Sequence, residues 1–361
     1  MPRGRKGPAD FRPDRPQNKA RAPGKLRQLP RSAQPDLRAF QAAADLNPPW
    51  LALPVNPVAA MHRAGHTGPL LKLLDVLVGD WHESARRLRG KLRRIAFESA
   101  AVRDIQRRQN YDGTWPAGIR SAEDSGRQME FIASLENLHA MAQLGGQHGW
   151  PSVLRGLRGL LLKQYPDGRF PGLYHHHASA GTLLMAVGMA RSPAIHRAAH
   201  WIADRQREDG GWLHPHMPTR KNASCIWTTV EVLAFLSKYR TTTIKENLGN
   251  AIEFVLSRAL QPGTTTLLPG AEPWNHLAVG IRGDGLFMGG TLKALEGLSF
   301  AGATPADARF KKLYMWLIEQ QLPNGLFPAI AGQDTKGDPM VTARCLAVIK
   351  QVETTRPVQT P

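Results

Sequence analysis

The chain is poor in cysteine, in acid and in long apolar runs. Two cysteines in 361 residues, Cys225 and Cys345, exclude a disulfide framework and suit a reducing compartment. No apolar run approaches the roughly 18 residues that span a bilayer. The most hydrophobic stretches, such as LRGLLLKQ at 157–164, are interrupted by Arg or Lys. The first residues lack the apolar core of a secretory leader, so the expected location is cytoplasmic, at most at a membrane surface. Asp and Glu number 29 against 47 Lys and Arg, a net charge of +18. That balance favours anionic partners over cationic ones.

The charge is uneven. Residues 1–32 hold ten Lys and Arg against two Asp, a net +8, which leaves +10 for the other 329. This segment is rich in Pro and Arg and cannot bury enough apolar surface to offset ordering entropy. It is expected to be a disordered tail over 1–35, either solubilising or an arm for nucleic acid or anionic lipid. A short tail is expected at 356–361, with the folded part over 36–355. A second basic run, RRLRGKLRR at 86–94, falls on a predicted helix and reads as its solvated outer face.

What the chain does have is a repeat. Four segments fit Q-x-x-[D/N]-G-x-[W/F]: Gln109 to Trp115, Gln164 to Phe170, Gln206 to Trp212, and Gln321 to Phe327. A degenerate copy at 260–270 keeps Gln261 and Gly263 and loses the aromatic. An amphipathic stretch with charges on one face precedes each copy. The stretch that follows is richer in Ala, Gly, Thr and Met. Charged helix, turn, buried helix, repeated, makes a ring of helical hairpins with the second helix of each inside. Five hairpins are legible over 84–353, and 36–80 supplies a sixth. Within each turn Gly takes positive φ to end the outer helix, the aromatic fills the gap between hairpins, and Gln bonds the exposed backbone.

A Gln–Asp–Gly–Trp turn repeated between helix pairs resembles the QW-type repeat of squalene cyclases and protein prenyltransferase β subunits. The resemblance implies an all-α, (α/α)6-type toroid with a central cavity for an isoprenoid-like hydrophobic molecule. Aromatic faces stabilise carbocations there, and Phe131, Tyr174, Trp227, Trp274 and Phe287 are the candidates. The D-x-D-D acid motif of such cyclases and the D-D-x-x-D diphosphate motif are absent. Glu231, four residues after Trp227, and Asp284 are the alternative acids, since a carboxyl in an apolar wall has a raised pKa.

The prenyltransferase pattern implies zinc on an Asp, a Cys two residues later and a distant His. Cys225 and His276 fit, but Ala223 stands where the Asp should be. Loop histidines are further candidates: His175, His176 and His177 before one inner helix, and His214 and His216 before the next. The expected site combines Glu231, Asp284 and His177 as catalytic groups with Tyr174, Trp227, His276 and Phe287 around the substrate. The competing expectation is a non-catalytic toroid that binds a ligand or a protein.

Overall fold

Helix starts are written into the sequence. Ser99 and Ser192 accept backbone N–H groups from Val102 and Ile195, and Asp307 and Asp338 do the same for Arg309 and Met340. Such oxygens satisfy donors that the first turn leaves unpaired. Proline opens three first turns, two of them on these same helices, where its missing N–H costs nothing.

The computed structural model describes Phe40 and residues 47–78, 83–117, 123–146, 149–213, 224–239, 241–261, 273–278, 280–281, 287–288 and 290–355. The expected tails, His214, His216 and Asp284 lie outside them. The helices are α1 (Val58–Ala64), α2 (Thr67–Leu77), α3 (Glu83–Phe97), α4 (Ala100–Arg107), α5 (Glu123–Gln143), α6 (Pro151–Leu162) and α7 (Tyr174–Leu184). They continue as α8 (Pro193–Ala203), α9 (Ile226–Tyr239), α10 (Lys245–Leu256), α11 (Thr291–Ala301), α12 (Ala308–Glu319) and α13 (Pro339–Thr354). Two small antiparallel ladders join Trp212–Leu213 to Ser224–Cys225 and Gly280–Ile281 to Phe287–Met288.

The fold is an all-α toroid. Helices α2, α5, α7, α9, α11 and α13 each pack on the next, and α13 packs back on α2, which closes an inner ring. Helices α1, α3 with α4, α6, α8, α10 and α12 lie outside it. The inner helices are rich in small residues because they are covered on both sides. Gly181 of α7 lies so close to Phe235 of α9 that a Cβ would stand 2.4 Å from its ring.

The repeated turns hold neighbouring hairpins together. Gly113, Gly168, Gly210 and Gly325 have φ of 90°, 95°, 82° and 87°. Each Gln side chain donates twice. Gln109 bonds the carbonyl of Gly113 at 2.9 Å and that of Ser152, on the next outer helix, at 2.8 Å. Gln164 does so with Gly168 and Ala194, and Gln206 with Gly210 and Asn247. Gln321 bonds Gly325 and then Val55, 266 residues back, at 2.6 Å. The last copy therefore fastens the end of the ring to its beginning. The degenerate Gln261 side chain bonds the carbonyl of Ser257, four residues back.

The aromatics of the four turns are fully buried. Trp115 and Trp212 donate their indole N–H to Ile105 and Ile202 on the preceding outer helix, at 2.8 and 2.7 Å. The backbone N–H of each aromatic meets a polar side chain of an inner helix: Ser134, His177, Thr229 and Thr342 in turn.

Candidate functional site in the ring lumen

The inner helices look apolar in sequence, yet isolated charges on them meet inside the ring. Glu231 of α9 is buried, and Lys293 of α11 lies 3.1 Å from its carboxylate. Three residues after Lys293, Glu296 of α11 receives Arg344 of α13 in a two-pronged ion pair, with one contact of 2.8 Å. His139 of α5 is hydrogen-bonded to Ser179 of α7 at 2.9 Å. Lys238, near the end of α9, lies 5.7 Å from the ring of Phe300 on α11. Three inner helices, α9, α11 and α13, thus supply the charges, and the His139–Ser179 pair adds polar groups from α5 and α7.

The belt sets unusual protonation. Burial drives the Glu231 carboxyl up, and the positive Lys293, Arg344 and Lys238 only partly offset it. Burial would also raise Glu296, but Arg344 and Lys293 bring it down to about 2. Burial, then the cations Lys293, Arg344 and Lys238, lowers His139 to about 3, so it is neutral near pH 7. Lys238 is an exposed residue. The surrounding protein, then Lys293, still lowers it to about 8. One acid of the belt is fixed as a carboxylate and the other is poised to hold a proton.

One helical turn before Glu231, on the same face of α9, stands Trp227. Its ring meets Trp274 edge-on, with centroids 5.0 Å apart. Trp274 is held against the start of α11, where Thr291 donates to its carbonyl at 2.9 Å. Both indole N–H groups are buried and bond no protein group. Buried donors are normally paired, so two in one place need a reason.

Of the expected site residues, Trp227 and Glu231 lie one turn apart on α9, and Trp274 packs on Trp227. His177 does not join them: its Nδ1 accepts from the Phe170 backbone and its Nε2 donates to the Ala198 carbonyl at 3.0 Å, out towards α8. It takes the place that Ser134, Thr229 and Thr342 hold elsewhere, and burial lowers it to about 4. Both of its ring nitrogens are engaged by backbone groups.

Tyr174 also turns away, edge-on to Trp201 of α8 at 5.7 Å. Phe131 is core, stacked on Phe170. His276 sits in a backbone bridge to Ile330, and Phe287 lies in the second ladder. His175 and His176 are buried against each other, centroids 4.1 Å apart. Burial raises the Cys225 thiol, which opposes the thiolate that zinc would need. Among the described residues no three His, Cys, Asp or Glu side chains are grouped as metal ligands.

No protein-family model matches the chain, and no curated protein does. Solved structures do. One is a protein from Actinoplanes, 17% identical, covering 80% of this chain and 90% of that one at a TM-score of 0.45. Another is the type II terpene cyclase MstE from Scytonema, 13% identical, covering 79% and 86% at 0.44. A third is a polysaccharide lyase, 12% identical, covering 79% and 88% at 0.44.

Sequence reasoning missed Lys293, Glu296, Arg344 and His139. The available signal was one or two charges in a stretch otherwise made of small and apolar residues, as in TLKALEGLSFA and MVTARCLAVIK. A charge there must find a partner across the lumen.

Proposed function

We propose that the lumen takes a small, largely hydrophobic, isoprenoid-like molecule bearing an oxygen function, and that Glu231 exchanges a proton with it. The observation that carries this reading is the pair of buried, unpartnered indole donors on Trp227 and Trp274, one turn from an acid whose pKa is raised. A ligand oxygen would satisfy donors that the protein does not. The indole faces suit an apolar body or a developing cation. In this reading the Glu231 carboxyl gives its proton to an alkene or epoxide of the ligand. The resulting cation ends by losing a proton, to water or back to the carboxylate. The repeated turns support the same reading through their resemblance to those of squalene cyclases.

The Glu231–Lys293 ion pair favours a second reading, in which the acid stays charged and the toroid binds without turnover. Incubation with geranylgeraniol and with 2,3-oxidosqualene, followed by mass spectrometry of products, separates the two. The first reading expects conversion of one of them, abolished in Glu231→Gln while binding persists. Binding without conversion leaves only the second reading, and absence of binding contradicts both.

A further inference from the structure

The outer wall of the second and third hairpins is a basic surface that the lumen reading does not use. Exposed side chains along α3, α4 and α6 include Lys91, Arg94, Arg103, Arg107, Arg155 and Arg158. These helices form one surface. Gln106 of α4 donates to Ser152 of α6 at 3.1 Å, Arg155 donates to Gln109, and Phe97 at the end of α3 meets Trp150 at 5.1 Å. The acids among them are few and partly taken: Glu83 pairs with Arg87, and Asp104 with Arg107 and Arg108.

Two other features share this wall. Tyr111, in the first repeated turn, is fully exposed. Beside it opens a cleft of about 400 Å³ walled by Asp112, Arg127, Glu130, Leu162 and Lys163, among others. The cleft offers donors and acceptors together. Arg127 stacks over Tyr165 at 4.5 Å and donates through Nη2 to the Lys163 carbonyl, while its Nε is buried and bonds no protein group. Glu130 receives Lys163 and the Thr114 hydroxyl.

We infer that this wall binds single-stranded nucleic acid. The arginine stripes follow the phosphates, Tyr111 is a stacking platform, and the cleft receives a base. Arginine forks match phosphate geometry, and an exposed aromatic among cations is what an unpaired base requires. A base edge carries donors and acceptors side by side, as the cleft does. An anionic membrane would match the charge alone. The exposed apolar side chains here, Leu154, Leu162 and Phe97, are scattered among charges rather than gathered for insertion.

The test is fluorescence anisotropy of the full chain with a fluorescein-labelled 20-nucleotide RNA of mixed sequence, read across a salt series. The triple variant Arg94→Glu, Arg103→Glu, Arg158→Glu should bind at least about tenfold more weakly near 100 mM salt, with a salt slope shallower by about 2. Arg127→Met and Tyr111→Ala should weaken binding while leaving the slope unchanged, because they act on a base. These side chains are exposed or at a cleft edge, so melting temperatures check that the variants fold. Triple-variant binding equal to wild type would overturn the inference and place the affinity elsewhere on the chain. Binding to phosphatidylserine vesicles without binding to RNA would overturn it in favour of a membrane.

Discussion

His177 shows how one residue type can mislead. A histidine at the start of an inner helix, in a run of three, has the look of a ligand or an acid. Its two nitrogens instead close a gap that serine and threonine close in the other hairpins. Imidazole reaches further than a hydroxyl, and here it spans from Phe170 to Ala198. Burial holds His177 at about 4 and His139 at about 3, below the ordinary 6.5. The unfolded chain takes up protons at these positions first as pH falls. Stability is therefore full above pH 6.5 and is lost as pH drops from 6.5 towards 4, by several kcal/mol for two such groups. Denaturant melts at pH 7.5, 6 and 5 should show that decline, and it should be shallower in His139→Asn. A flat profile would mean that both histidines are solvated in the fold. His177→Ala should cost about 1–3 kcal/mol through the unpaired Phe170 N–H, without altering ligand binding in the lumen.

The element that repeats is the turn, and the turns were the legible part of this fold. Gln, Gly and aromatic recur because each junction poses the same problem: an outer helix must stop, and its end must bond the next hairpin. Glycine is required twice over at Gly113. Its φ is 90°, and a Cβ there would stand 2.1 Å from the Arg155 carbonyl oxygen. Trp115→Ala and Trp212→Ala should each destabilise the protein by roughly 3–5 kcal/mol, the usual cost of removing a buried aromatic. Melting like wild type in both would refute the role given to these turns. The lumen was less legible. Trp227 and Glu231 sit one turn apart on a single helix, so their shared face could be read from spacing. Lys293, Glu296 and Arg344 gain meaning only from helices 48 or more residues apart in sequence at the nearest observed pairing, Glu296 with Arg344. No local pattern encodes that convergence.

The whole molecule is a closed ring, and closure rests on side chains as well as packing. Gln321 donates to the Val55 carbonyl and accepts from the Val55 N–H at 3.1 Å, while α13 lies along α2. Gln321→Leu should cost about 2 kcal/mol, near 1 kcal/mol for each lost bond across the seam. Hydrogen exchange should then quicken in α1 and α2 before it does in α7 and α9. Uniform exchange across the ring would mean that the seam carries no special strain. A closed ring also makes the lumen the one place where all inner helices can act on a single molecule, and the functional reading depends on that. The most direct test is fluorine NMR of protein carrying 5-fluorotryptophan, with Trp227 and Trp274 assigned through their Phe variants, during titration with geranylgeraniol. The account predicts saturable shifts of the Trp227 and Trp274 resonances while those of Trp115 and Trp212 stay fixed. Shifts confined to Trp115 or Trp212, or no saturable shift at all, would contradict it.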